Sequence, residues 1–337
     1  MTEAERCTIV RHKPSSLPEY YLTRIAKWCR TQWQLDTRFT PLGLLVDQRS
    51  IPEGGKTHTF TNLSDVLAAQ PDNLAFVLLG SPGSGKSTLL QQREWETALT
   101  ASHLNPTETL IPFFASLNQY KAQTNQAGEL YPSPWGWLNS QWYSMNPQLA
   151  DFTTQMQTGR ILLLLDALNE MPHKSDKHYQ ALLDVWRNFL HKINEYFPGN
   201  RVVFSCRELN YSIGLSNPDG LPVQHIRIES LNPGQIHKFL QRYHPEQADE
   251  LFQQLKQAQQ LDFYNKPYFL KLLIEQTKNN GGTIPKGRAA LFTGFVQQAL
   301  ARELAKPNTL LKNQSLLTAR EQEKWSNPQR RNMPYQL

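Results

Sequence analysis

The sequence predicts an α/β protein in which a parallel sheet carries helices on both faces and is followed by a small all-helical domain. From residue 74 onward, apolar runs of strand length alternate with segments of helical period, which is typical of a parallel sheet. A glycine-rich stretch separates the first apolar run from the first helix. After residue 232 the apolar runs stop, and only helices are predicted, over residues 235–243, 245–261, 268–278 and 288–304, with Pro or Gly between them.

Composition places the chain among cytoplasmic globular proteins. Its 337 residues are enough for two or three domains, and 39% of them are hydrophobic. The three cysteines (Cys7, Cys29 and Cys206) lie far apart, which argues against a disulfide framework or a zinc site and favours a reducing compartment. No apolar run approaches the roughly 18 residues that cross a membrane. We therefore expect a cytoplasmic protein without membrane insertion.

The positive charge is concentrated in the last 32 residues. The net charge of the chain is +6, and residues 306–337 hold six basic and two acidic side chains, so the rest of the chain is nearly neutral. A solvated basic tail is the simpler interpretation of this segment, and nucleic-acid binding through it is the weaker one. Overall charge therefore does not indicate a nucleic-acid-binding protein.

The apolar runs divide the chain into four parts. Five strands are predicted, over residues 74–79, 109–117, 161–165, 201–205 and 223–228. Pro112 predicts that the second of them is an edge strand or carries a bulge. An amphipathic helix is predicted from Leu17 to about Trp33. The predicted parts are an N-terminal helical and extended segment (1–57), the sheet-containing core (58–232), a helical domain (233–305) and a basic, disordered tail (306–337).

The glycine-rich stretch after the first strand is a phosphate-binding loop of the Walker A type. It fits the pattern G-x-x-x-x-G-K-[ST] and follows a buried strand, as this loop requires. Backbone N–H groups at a helix N-terminus form an anion site, and the lysine reaches the β- and γ-phosphates. The sequence therefore predicts a P-loop NTPase. The candidate nucleotide-binding residues are Gly80, Ser81, Pro82, Gly83, Ser84, Gly85, Lys86, Ser87 and Thr88.

Two later strand ends supply the remaining chemistry. The run Ile161–Leu165 ends in Asp166, which is placed to hold Mg²⁺ together with the Ser87 hydroxyl. Glu170, four residues on, suits a general base that orients water for attack on the γ-phosphate. Arg207 follows a buried strand that ends in Ser205 and Cys206, a position from which a cation could sense the γ-phosphate. Lys86, Glu170 and Arg207 are the candidate catalytic residues.

These segments together resemble NACHT-domain proteins, which belong to the signal-transduction ATPases (STAND) and are related to the AAA+ group. Gly80–Thr88, Ile161–Glu170, Arg201–Arg207 and Asn265–Leu270 occur in the family's order. The small residue Ala167 after Asp166 is similar to the family's pattern. The resemblance implies that Pro267 contacts the nucleotide base.

The resemblance also implies an ATP- or ADP-binding switch with Mg²⁺, slow hydrolysis and a role in signal transduction or defence. We expect self-association or a signalling protein as the partner. Asn169 stands where the family often has an acid, which favours low turnover. We also expect the family's C-terminal winged-helix and repeat region to be missing, because about 30 unpatterned residues follow Ala305. The chain is then either a truncated member or one whose signalling parts lie on another polypeptide.

Other functions are less well supported by the sequence. A GTPase should carry N-K-x-D, but Asn265, Lys266 and Pro267 are followed by Tyr268, and the L-S-G-G-Q signature of ABC ATPases is absent. A non-hydrolysing or truncated ATP-binding module stays open, as does another P-loop enzyme such as a small-molecule kinase. No pattern of metal ligands of the H-E-x-x-H type occurs.

Overall fold

The computed structural model describes residues 12–30, 40–46, 59–104, 109–211 and 221–279, together with residues 9, 215, 292–294 and 296. They fall into two compact units, which are divided between Gln235 and Ile236. The predicted tail over 306–337 and most of the predicted helix over 288–304 lie outside the described residues. None of the helices described combines the length and the apolarity that a membrane-spanning segment needs.

The first unit is built on a seven-stranded, mostly parallel sheet. Its strands are β1 (Leu44–Val46), β2 (Thr59–Phe60), β3 (Ala75–Gly80), β4 (Ile111–Ser116), β7 (Ile161–Asp166), β8 (Arg201–Arg207) and β9 (Val223–Ile228). The strand order is β2-β1-β9-β3-β8-β7-β4, and β5 (Gln123–Thr124) pairs with β6 (Leu130–Tyr131) in a separate hairpin. β1 pairs antiparallel with β2 and β9, whereas the five strands from β9 to β4 are parallel. The predicted parallel α/β sheet is confirmed, and β4, which contains Pro112, is its edge strand.

Helices cover both faces of this sheet. Those of the first unit are α1 (Leu17–Arg30), α2 (Leu63–Ala69), α3 (Lys86–His103), α4 (Pro134–Met145), α5 (Phe152–Gln157) and α6 (Asp176–Tyr196). Apolar residues of α2 and the first turns of α3 pack with one set of alternating strand side chains. Residues of α1, α4, α5 and α6 pack with the other set. Buried apolar strands with side chains on both faces need two such layers, because neither face could be left in water.

Helix α1 covers the exposed edge of the sheet and joins it to α3. The Tyr20 hydroxyl donates to the carbonyl of Pro112 on the edge strand at 2.6 Å. Glu94 on α3 is fully buried and accepts from the indole N–H of Trp28 at 3.0 Å. Arg24 and Lys27 lie 3.8 and 3.7 Å from the same carboxylate. A buried carboxylate is tolerable only with such partners, so α1 is tied to the helix that begins at the phosphate loop.

The second unit is helical in its described residues. It contains most of α7 (Pro233–Tyr243), a 3-10 turn (Pro245–Gln247), α8 (Ala248–Gln257) and α9 (Pro267–Asn279). The apolar sides of the three helices are buried, for example at Phe239, Leu251 and Leu273. The sequence predicts one helix over 245–261, but the structure has the 3-10 turn followed by the shorter α8. Gln259 adopts a left-handed backbone with φ 53°, and a right-handed helix cannot continue through such a residue.

Removal of the Glu94 carboxylate should destabilise the first unit strongly. Glu94→Ala leaves the Arg24 guanidinium and the Trp28 N–H buried without their shared acceptor, so the free energy of unfolding should fall by about 3–5 kcal/mol. Urea denaturation measures this change. The control is Glu195→Ala on the exposed side of α6, which should stay within about 0.5 kcal/mol. Similar losses in the two variants would contradict the structural role of Glu94.

Candidate nucleotide-binding site

The phosphate loop connects the end of β3 to the first residue of α3. Gly83 and Gly85 have φ values of 77° and 97°, a left-handed backbone that glycine adopts without strain. A Cβ placed on Gly80 would lie 2.6 Å from the Ser84 hydroxyl, so a larger residue there would displace the Ser84 side chain. Helix α3 then starts at Lys86 without a side-chain cap. The free N–H groups of this first turn are available to an anion.

The Lys86 side chain contacts the start of the phosphate loop that it follows. Its ammonium group donates to the carbonyls of Gly80 at 2.9 Å and Ser81 at 3.1 Å. Burial lowers the pKa of Lys86, and the positive charge of Arg207 lowers it further. Both effects disfavour the charged lysine in this position. An anion bound at the loop would relieve them, which suits a phosphate site.

Ser87 and Asp166 meet across the carboxyl edge of the sheet. The Ser87 hydroxyl donates to Oδ1 of Asp166 at 3.1 Å, and the Asp166 side chain is largely buried. A serine hydroxyl and a carboxylate are hard oxygen ligands of the kind that Mg²⁺ prefers in phosphate sites. The donor set therefore fits a magnesium ion held by Ser87 and Asp166 together with nucleotide phosphates.

Strand β8 lies between β3 and β7, and its last residues contact the loop that follows Asp166. The Arg207 guanidinium donates to Glu170 at 2.6 Å, and the Arg207 backbone N–H donates to the Asn169 amide oxygen at 3.0 Å. Both members of the ion pair are partly exposed, with 45% of the Arg207 and 42% of the Glu170 side chain accessible. The candidate base and the candidate γ-phosphate sensor are thus in direct contact with each other.

The structure brings together all predicted catalytic and metal-binding residues. Pro267 begins α9 in the second unit, and its contact with the base stays a prediction. Two contacts of the site were not predicted from the sequence. Ser205 hydrogen-bonds to Asp166, and Asn169 holds the backbone of Arg207. The only signal for Ser205 is a hydroxyl residue within an otherwise apolar strand, two positions before the arginine.

Comparison with known proteins decides the family. The family model described as NACHT domain matches residues 74–247, just over half of the chain. The chain belongs to the NACHT family. The match contains every predicted site residue of the first unit, from Gly80 to Arg207. Nucleotide binding follows from this membership, and this NACHT chain is a nucleotide-binding NTPase.

Comparisons with curated proteins and with solved structures add two findings. A search of curated proteins finds no match. Among solved structures, a Thermotoga maritima RuvB variant is similar at a TM-score of 0.34 and 13% sequence identity. The alignment covers 70% of this NACHT chain and 65% of that chain, so the NACHT chain spans less than two thirds of RuvB.

Replacement of the loop lysine tests the nucleotide site. Lys86→Ala should weaken ATP binding at least about 100-fold, or about 2.7 kcal/mol, because its charge-assisted contacts to the phosphates are lost. Isothermal titration calorimetry measures the affinity. The matched control is Lys192→Ala on the exposed side of α6, which should bind like the wild type. A Lys86→Ala protein that binds ATP as tightly as the control would refute the site.

Proposed function

We propose that the chain is an ATP-binding NTPase that acts as a nucleotide-controlled switch. The ATP·Mg²⁺ form would favour an assembling state and the ADP form a closed one. The observation that carries the proposal is the meeting of Ser87, Asp166, Glu170 and Arg207 at the carboxyl edge of the sheet, beside the loop lysine. This set can bind a triphosphate and respond to its γ-phosphate.

Each residue of the site is given a role that follows from its position. Backbone N–H groups of the loop and the Lys86 ammonium hold the phosphates, and Ser87 and Asp166 hold the magnesium ion. When bound, Mg²⁺ supplies positive charge that neutralises the phosphate oxygens. Glu170 accepts a proton from the attacking water, and Arg207 stabilises the charge of the γ-phosphoryl group. Binding of a γ-phosphate would draw Arg207 away from Glu170 and leave that carboxylate available to water.

The nucleotide and the partners belong to the same proposal. ATP is favoured over GTP because the guanine-reading N-K-x-D pattern is absent, and Pro267 is assigned to the base. The partner is a second copy of the chain or a signalling protein in the cytoplasm. Either would respond to the nucleotide through a change of state, because a ligand shifts an equilibrium only by binding one state better than the other.

A second candidate function is ATP binding without turnover. The Glu170–Arg207 ion pair favours it, because the carboxylate that would accept the proton of the attacking water is held by the Arg207 guanidinium instead. Asn169 also stands where the NACHT family often has an acid, so the second carboxylate of that pair is missing here. In this version the protein would act through protein–protein interaction alone.

Glu170→Gln separates the two candidates. The substitution keeps the size of the side chain and a hydrogen bond to Arg207, so ATP affinity should change less than about threefold. Removal of a general base should slow phosphate release by about 10²–10⁴-fold. Steady-state phosphate release and calorimetry on the same preparations measure the two effects. Equal hydrolysis rates in the wild type and the variant would remove Glu170 from catalysis.

The switch itself is tested by sedimentation velocity with ATP, ADP and GTP, each with Mg²⁺. A larger species with ATP than with ADP is the expected result, and GTP should resemble the nucleotide-free protein. Lys86→Ala is the control and should show one sedimentation coefficient in all conditions. A wild-type protein that binds ATP but sediments identically with ATP and ADP would contradict the switch in favour of the binding module.

A further inference from the structure

Ser205 lies at the centre of the carboxyl edge and has no assigned role. It is almost completely buried on β8, the strand between the phosphate-loop strand and the acid-bearing strand. The parallel register pairs Leu165 with Phe204, so Asp166 and Ser205 follow side by side on neighbouring strands. This register brings the Ser205 hydroxyl to the metal-ligand candidate.

The Ser205 hydroxyl makes two hydrogen bonds to adjacent residues. It donates to Oδ1 of Asp166 at 2.5 Å and accepts from the backbone N–H of Ala167 at 2.9 Å. Ser87 donates to the same oxygen, Oδ1. A hydroxyl carries a single hydrogen, so the Ser205 donor is fully used by the carboxylate. Among the described residues, both hydroxyl hydrogen bonds to Asp166 go to Oδ1, and none goes to Oδ2.

The second hydrogen bond holds a strained turn. Ala167 has φ 65° and ψ 51°, a left-handed conformation that is unfavourable for a residue with a Cβ. The turn reverses the chain out of β7 and leads to Glu170, whose N–H donates to the Ala167 carbonyl at 2.9 Å. The bond from Ala167 to Ser205 satisfies the backbone donor at this point. One hydroxyl thereby fixes both the orientation of Asp166 and the path of the chain toward the candidate base.

We propose that Ser205 is a positioning residue that sets the Asp166 carboxylate for a magnesium–nucleotide complex. The inference rests on the proposed function, because it concerns the same site. Ser205 acts through Asp166 and is not itself assigned as a ligand of the metal or the nucleotide. Hydrogen-bond partners that orient a ligating carboxylate typically contribute 10–100-fold to metal affinity.

Cys206 provides a matched control from the next position of the same strand. It is also buried, but its side chain joins the apolar cluster on the opposite face of the sheet, away from Asp166. Burial raises the pKa of the Cys206 thiol to about 11, so it stays neutral near pH 7. Cys206→Ala therefore introduces a comparable small cavity on the other face of the same strand without removing a hydrogen bond to Asp166.

The test is calorimetric titration of ATP into each protein, in EDTA and at a series of Mg²⁺ concentrations. The Mg²⁺ midpoint is the Mg²⁺ concentration at which half of the enhancement of ATP affinity is reached. Ser205→Ala should raise this midpoint by about tenfold or more. Its ATP affinity in EDTA should stay within about twofold of the wild type. Ser205→Thr, which restores the hydroxyl, should return the Mg²⁺ midpoint to within about threefold, and Cys206→Ala should keep the wild-type midpoint.

The results that would overturn the assignment are distinct from failure of the proposed function. An unchanged Mg²⁺ midpoint in Ser205→Ala, or equal losses of ATP affinity with and without Mg²⁺, would leave Ser205 a purely structural residue. If Ser205→Ala does not fold, Ser205→Cys keeps the size with a weaker donor, and a wild-type midpoint in that variant overturns the assignment equally. A wild-type protein without any Mg²⁺ enhancement would instead refute the magnesium–nucleotide site.

Discussion

The contact between Ser87 and Asp166 is the interaction on which the rest of the site depends. It joins the first turn of α3 to the end of β7, although β3 and β7 are not neighbours in the sheet. Strand β8 lies between them, so its final residues enter the space beside the loop and the acid. Because parallel strands all present their carboxyl ends at one edge, residues far apart in the chain converge there. The insertion of β8 is what brings Arg207 to Glu170.

The charged groups of the site are placed so that a bound triphosphate and its metal ion would supply their opposite charges. Asp166 receives hydroxyl hydrogen bonds from Ser87 and Ser205, which orient the carboxylate without neutralising its charge. Lys86 is held by carbonyls and has its pKa lowered by burial and by the charge of Arg207. Among the described residues, neither the half-buried Lys86 ammonium nor the buried Asp166 carboxylate has an ion-pair partner, so a phosphate and a cation can complete the site. Phosphate binding would then stabilise the Lys86 ammonium, whose charged form is disfavoured by burial.

Much of this was predictable because the signals are local. A buried apolar run followed by G-x-x-x-x-G-K-S fixes a strand, a turn and a helix within 20 residues, and Asp166 directly follows another such run. The pairs β1–β2 and β5–β6 were not predictable, since strands of two or three residues carry no readable alternation. The role of Ser205 depends on the register between β7 and β8, which a single sequence does not encode locally. The left-handed Gln259 that stops α8 early has no composition signal either.

The most direct measurement is a crystal structure of the protein with ATP and Mn²⁺, in which anomalous scattering locates the metal. Mn²⁺ takes the same oxygen ligands as Mg²⁺. The expected result is a metal bound to the Ser87 hydroxyl and to the Asp166 carboxylate, with the β- and γ-phosphates as further ligands and the Arg207–Glu170 pair separated. A nucleotide bound elsewhere, or a metal without Asp166 among its ligands, would contradict the assignment of this edge as the magnesium–ATP site.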